Sequence, residues 1–186
     1  MKVLQVHNYY QSYGGECHVV DEEKKLLEEN GHEVIQYVRH SCDINSWNAA
    51  KKAFALISIP YNLAEYKSLL KFIEYVRPDV AHVHNVFPLF SPSAYSALAK
   101  AKIPTIQTVH NYRFLCPNGI FFTENKVCEE CQTRGLFSAV RKRCVRDSYL
   151  ISALYATAIA NAWRTKNIPE NVSRFIVLNK FVYDKV

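Results

Sequence analysis

Apolar residues along this chain fall into two alternating patterns. Short runs suited to buried strands occur at Val3–Val6, Glu33–Val38, Val80–His84, Thr105–Val109 and Arg174–Leu178. Between them, apolar positions recur at helical spacing over Glu16–Asn30, Ile44–Ser58, Tyr61–Val76, Ser93–Lys102 and most of Leu136–Arg164. Pro60 separates the second helix from the third, and Gly31 follows the first as a helix stop. A further helix starts near Lys180. Strands alternating with helices predict an α/β fold, a Rossmann-like doubly wound parallel sheet with helices on both faces. One long irregular segment, Asn111–Gly135, interrupts the alternation, and the insert region as a whole runs over Asn111–Arg146.

Open parallel sheets bind ligands beyond the carboxyl ends of their strands, at the switch point in strand order. The segments after the first, third and fourth strands are His7–Gly15, His84–Pro92 and His110–Gly119, and all three are expected to converge on one rim. Gly14 and Gly15 lie between a strand and a helix, where bare backbone can approach a ligand and free N–H groups can face an anion; an ordinary tight turn uses the same residues. The absence of GxGxxG argues against dinucleotide binding. His110 ends the fourth strand beside Asn111 and Arg113, placed to meet a sugar hydroxyl or a phosphate, or simply to cap its strand. His82 and His84 share a strand face; the first should lie deeper, and the second reaches the rim with Asn85. His18, His32 and His40 read as surface or turn residues.

The cysteines add a second candidate. Cys116, Cys128, Cys131 and Cys144 form the pattern C-x11-C-x2-C-x12-C inside the irregular segment. Such spacing suits a tetrahedral structural zinc, and an iron–sulfur cluster, a disulfide or free thiols are the alternatives. Cys17 and Cys42 stand apart.

The chain has 186 residues, 49% hydrophobic and 22% charged, the profile of one globular domain. No signal-peptide pattern opens it, and Tyr149–Trp163 is too short and polar to span a membrane, so a cytoplasmic location is expected. Net charge is +6, partly from Arg134, Arg141, Lys142, Arg143 and Arg146. Followed by the apolar run, this basic stretch suggests peripheral contact with the inner face of a membrane, or a solvated face beside a core helix. Nucleic acid is not expected, since no matching motif accompanies the charge.

Several segments together resemble the N-terminal domain of the retaining GT-B glycosyltransferases of family 4, also called group 1. They are Tyr13-Gly14-Gly15-Glu16, Glu29-Asn30-Gly31-His32-Glu33-Val34, Arg77–Asn85, Thr108–Gly119 and Arg174–Phe181. The resemblance covers essentially all of residues 1–186 and includes the cysteine-bearing insert. It implies the acceptor-side half of an enzyme that transfers a sugar from a nucleotide-sugar donor to a saccharide or lipid-linked acceptor. It also implies His110 as the catalytic rim residue, with Gly14, Gly15, His84, Asn85, Asn111 and Arg113 around the substrate. The family's C-terminal donor domain, with its glutamate pair, has no counterpart in the sequence, so the chain alone is expected to be inactive. The competing expectation is a non-catalytic, zinc-stabilised module that binds an anionic partner. A flavodoxin-like or receiver domain fits less well, because no acidic cluster follows the first strand.

Overall fold

In the computed structural model, residues 1–165, 168 and 170–185 are described. The elements run β1 (Lys2–Tyr9), α1 (Gly15–Glu29), β2 (Glu33–His40), a 3-10 turn (Ser41–Ser46), α2 (Ala49–Ile57), α3 (Leu63–Val76), β3 (Val80–Val83), α4 (Ser93–Lys100) and β4 (Thr105–Val109). They continue with β5 (Phe122–Thr123), β6 (Lys126–Val127), α5 (Glu130–Thr133), α6 (Phe137–Arg141), α7 (Tyr149–Arg164), β7 (Arg174–Val177) and α8 (Lys180–Tyr183).

Five strands form a parallel sheet in the order β2-β1-β3-β4-β7, while β5 and β6 make a separate antiparallel pair. All five strands expected from the apolar runs are present. β1 and β3 are buried almost throughout, because helices cover them on both faces. From β1 the chain winds outward to β2, then returns to β3 on the other side. The switch point therefore lies between β1 and β3, and their carboxyl ends flank it.

Capping side chains set the helix starts. Asn48 accepts from the Lys51 amide, so α2 begins after the 3-10 turn and not at Ile44. Asn62 accepts from the Glu65 amide and starts α3. Its own amide donates to Leu89 O at 2.7 Å, tying α3 to the loop after β3. The stretch expected to be helical from Leu136 divides in two. Arg143, Arg146 and Asp147 take positive φ between α6 and α7, and Ser148 caps α7 afresh.

The core packs Leu4, Val6, Ala81 and Val83 of the sheet against Leu69, Leu98 and Ala158 of the helices. α7 buries Ser152, Tyr155, Ala156, Ala158, Ile159 and Ala162, so the apolar run is a core helix. Tyr149 and Leu150 at its first turn are exposed. Among the described residues, no helix is long and apolar enough to cross a membrane.

Candidate active site at the carboxyl ends of the strands

β3 and β4 run side by side, and this register stacks three imidazoles. His82 lies 4.3 Å from His84 by ring centroids, and His84 lies 5.3 Å from His110. Their hydrogen bonds orient them. His82 Nδ1 is 2.6 Å from Glu23 Oε1, and its Nε2 is 2.7 Å from Thr108 Oγ1. His84 Nδ1 is 3.0 Å from His110 Nε2. His84 Nε2 stands 3.5 Å from the same Glu23 oxygen but forms no well-aligned hydrogen bond with it.

The charges follow from these contacts. Burial opposes ionisation of Glu23, but the contacts from His82 and His84 outweigh it and hold the carboxyl well below its usual range. Glu23 is thus a carboxylate, which accepts only. A proton on His84 Nε2 faces it, which leaves His84 Nδ1 to accept from His110 Nε2–H. Burial, reinforced by His84, lowers His110 to about 4, and burial lowers His84 too. His84 and His110 are therefore neutral near pH 7, and His110 presents its unprotonated Nδ1 edge.

A second buried group sits beneath the β1 loop. His7 is fully buried, and neither ring nitrogen has a hydrogen-bond partner among the described residues. Its Nδ1 is 3.9 Å from Glu16 Oε1. Burial lowers His7 to about 3 and pushes Glu16 up to about 7. The other Glu16 oxygen accepts from Tyr10 Oη at 3.1 Å and from Asn111 Nδ2 at 3.4 Å. Glu16 thereby joins the first turn of α1 to the segment after β4.

The rim residues expected from sequence come together only in part. His84, Asn85, His110, Asn111 and Arg113 line one cavity of about 10 Å³. Within it, Asn85 spends its amide on Asn8 O, Phe87 O and the Phe87 N–H, so it shapes the loop. Arg113 donates to Pro117 O at 2.9 Å, and its guanidinium lies 5.0 Å from the Tyr155 ring centroid. It also lines a larger cleft of about 440 Å³ with Tyr10, Ser41, Pro88, Arg146 and Tyr155. An apolar groove of about 280 Å³ adjoins this cleft. The two share Ile44, Pro88, Arg146 and Tyr155, and the groove extends to Leu56, Ile59 and Leu89.

Gly14 and Gly15 are exposed, outside these cavities, at the start of α1. Neither has positive φ, and a Cβ on Gly15 would meet nothing within 4 Å, so the fold itself does not require glycine there.

Glu16 and Glu23 are the site residues that sequence reasoning missed. They are seven residues apart on α1, on the face that also buries Val20, and that spacing was the available signal. Glu23, His82 and His84 are also the one group of three or more ligand-capable residues within 4.8 Å among those described. Glu23 Oε1 and both ring nitrogens of His82 are already engaged, while His84 Nε2 faces Glu23 without an aligned hydrogen bond.

The four cysteines of the insert converge as well. Cys116, Cys128, Cys131 and Cys144 all line one cavity of about 10 Å³, and all are free thiols.

The parallel sheet, its switch point and the cleft beside it define a Rossmann-like α/β domain whose cleft opens at the strand carboxyl ends. The model of Glycosyltransferase Family 4 matches residues 13–165, and the chain belongs to that family. A solved structure described as the S. aureus MnaA–UDP co-structure aligns at 13% identity with a TM-score of 0.42. That alignment takes in 92% of this chain and 42% of the other, so the chain spans less than half the length of that protein. A comparison with curated proteins gives no match.

Proposed function

We propose that this domain is the acceptor-binding half of a retaining GT-B glycosyltransferase, acting on a lipid-linked, phosphate-bearing acceptor. The observation that carries this reading is the junction of two cavities. Arg113 and Arg146 supply guanidinium groups to the polar cleft, and the apolar groove continues from the same Arg146, Pro88 and Tyr155. A guanidinium pair suits a phosphate, and an adjoining apolar channel suits a hydrocarbon chain. The same two helices that wall the groove expose Phe54 and Ile57 on α2 and Tyr149 and Leu150 on α7. Such residues suit contact with a membrane surface, where a lipid-linked acceptor resides.

The donor is a nucleotide sugar held mainly by a second domain. His110 faces the transferring sugar with its neutral edge. Asn111 fixes the β4 loop through Tyr10 and Glu16, and Gly14 and Gly15 leave the N–H groups of α1 open toward the donor phosphates. His84 positions His110, and Asn85 holds the loop that carries Pro88.

The test is transfer of labelled sugar from a panel of nucleotide sugars to a phospholipid-linked saccharide by the full-length protein. The reading expects transfer with retained anomeric configuration, lost in His110→Ala. It fails if no donor and acceptor pair reacts, or if His110→Ala leaves turnover unchanged. An inverted product would overturn the retaining assignment alone.

A further inference from the structure

The cysteine insert is not used by this reading, yet its geometry is specific. Four thiols reach one cavity from separate places: Cys116 from the turn after β4, Cys128 and Cys131 from around α5, and Cys144 from the turn after α6. Cys116 Sγ lies 3.0 Å from Asn118 Oδ1 and Cys144 Sγ lies 3.8 Å from Thr123 Oγ1, and both partners line the same cavity. We infer that these four cysteines form a structural zinc site that organises the insert and, through it, the position of Arg113.

Three observations support the assignment. The first is size. A free volume of about 10 Å³ is the least that holds a single water, which suits one ion and not a multi-iron cluster. No three of these sulfurs lie within 4.8 Å of one another. Zinc–sulfur bonds of about 2.3 Å require neighbouring sulfurs about 3.8 Å apart, so binding draws the side chains inward over the cavity.

The second is the small size of the insert's own core. β5 and β6 are two residues each, and such a pair is marginal alone. Ile120, Phe122, Val127 and Phe137 are exposed, and full apolar burial in the insert is confined to Phe114, Cys116, Phe121, Ala139 and Val145. A bound ion supplies folding energy in such a segment.

The third is charge. A zinc with four thiolates carries a net charge of minus two. Lys142 Nζ lies 3.9 Å from Cys128 Sγ, placed to donate to a thiolate, and the surrounding stretch is rich in arginine. The basic patch then offsets the metal centre's own negative charge.

The consequence reaches the rim. Cys116 O accepts from Gly119 N–H, and the turn so formed offers Pro117 O and Asn118 O to Arg113 at 2.9 and 3.4 Å. On binding, each protonated thiol releases its proton to solvent and zinc stays divalent, so no oxidant is needed.

Metal analysis of the 186-residue chain, purified without chelator, is paired with residue-resolved alkylation before and after chelation. The expected result is zinc at one equivalent, with Cys116, Cys128, Cys131 and Cys144 protected until the chelator is added. Cys42, which is exposed, reacts equally in both states. Cys42→Ser should keep its zinc, whereas Cys131→Ser should lose it or bind at least tenfold more weakly. If Cys131→Ser does not fold, the alkylation comparison on the natural sequence decides. Metal-free protein whose alkylation is unchanged by added zinc overturns the proposal, as does iron with acid-labile sulfide or a disulfide among the four. Each result is independent of sugar transfer.

Discussion

His84 Nδ1 accepts a hydrogen bond from His110 Nε2 at 3.0 Å, joining the end of β3 to the end of β4. The parallel register runs on from Val83 and Gln107 to bring His84 level with Thr108, so its ring meets His110 two residues further along, and the Glu23 carboxylate faces its other nitrogen at 3.5 Å. Nitrogen-detected NMR of the chain should show His110 neutral with its proton on Nε2, titrating near pH 4. His84→Phe removes the acceptor. It should release the tautomer preference and lower turnover of the full-length enzyme roughly tenfold, the worth of one hydrogen bond in a dry site. His84→Gln, whose carbonyl can accept, should recover part of the loss.

Glu16 gives a stability prediction with a definite sign. Burial raises its folded pKa to about 7, above the ordinary 4.5. The folded state therefore binds the proton more tightly, and that contribution is full below pH 4.5 and lost as pH rises through 7. Glu16→Gln cannot ionise. Urea unfolding should show it more stable than the natural sequence at pH 8, by on the order of 3 kcal/mol, with little difference at pH 4. Equal stability at both pH values contradicts the account.

Gly119 is the one glycine whose conformation and contacts both matter. It has φ of +81°, and a Cβ there would lie 3.3 Å from Arg113 Nη2. Gly119→Ala should cost about 1 to 2 kcal/mol by chemical denaturation and displace the guanidinium from the cleft. Acceptor KM should rise more than kcat falls.

Asn62 caps α3 and also holds the loop that carries Pro88 and Leu89. Asn62→Ala loses the cap and leaves Leu89 O without its donor, so a loss of about 2 kcal/mol is expected. Hydrogen exchange should rise at both ends of that contact, in α3 and in the loop.

The sheet was legible because buried parallel strands need short apolar runs, and β1, β3 and β4 supply them plainly. The convergence of His84, His110 and Arg113 followed from the rule that ligands gather at strand carboxyl ends, given the alternation of elements. Glu16 and Glu23 escaped notice because an acidic residue on a helix ordinarily faces water; only the packing of α1 over β1 and β3 turns them inward. Asn85 looked like a rim ligand, yet its amide is taken by the backbone of its own turn and of Asn8. The break between α6 and α7 was hidden because Arg143, Arg146 and Asp147 carry no glycine signal for their positive φ.

The most direct measurement is an NMR titration of the 186-residue chain with a phospholipid-linked saccharide in a soluble short-chain form. The account predicts shifts at Tyr10, Arg113, Arg146 and Tyr155 in the cleft and at Leu56 and Ile59 in the groove. Binding should weaken at least tenfold in the Arg113→Ala, Arg146→Ala double variant. Shifts confined to the opposite end of the sheet, around Leu70, Arg77 and Lys100, or affinity unchanged in the double variant, would contradict it.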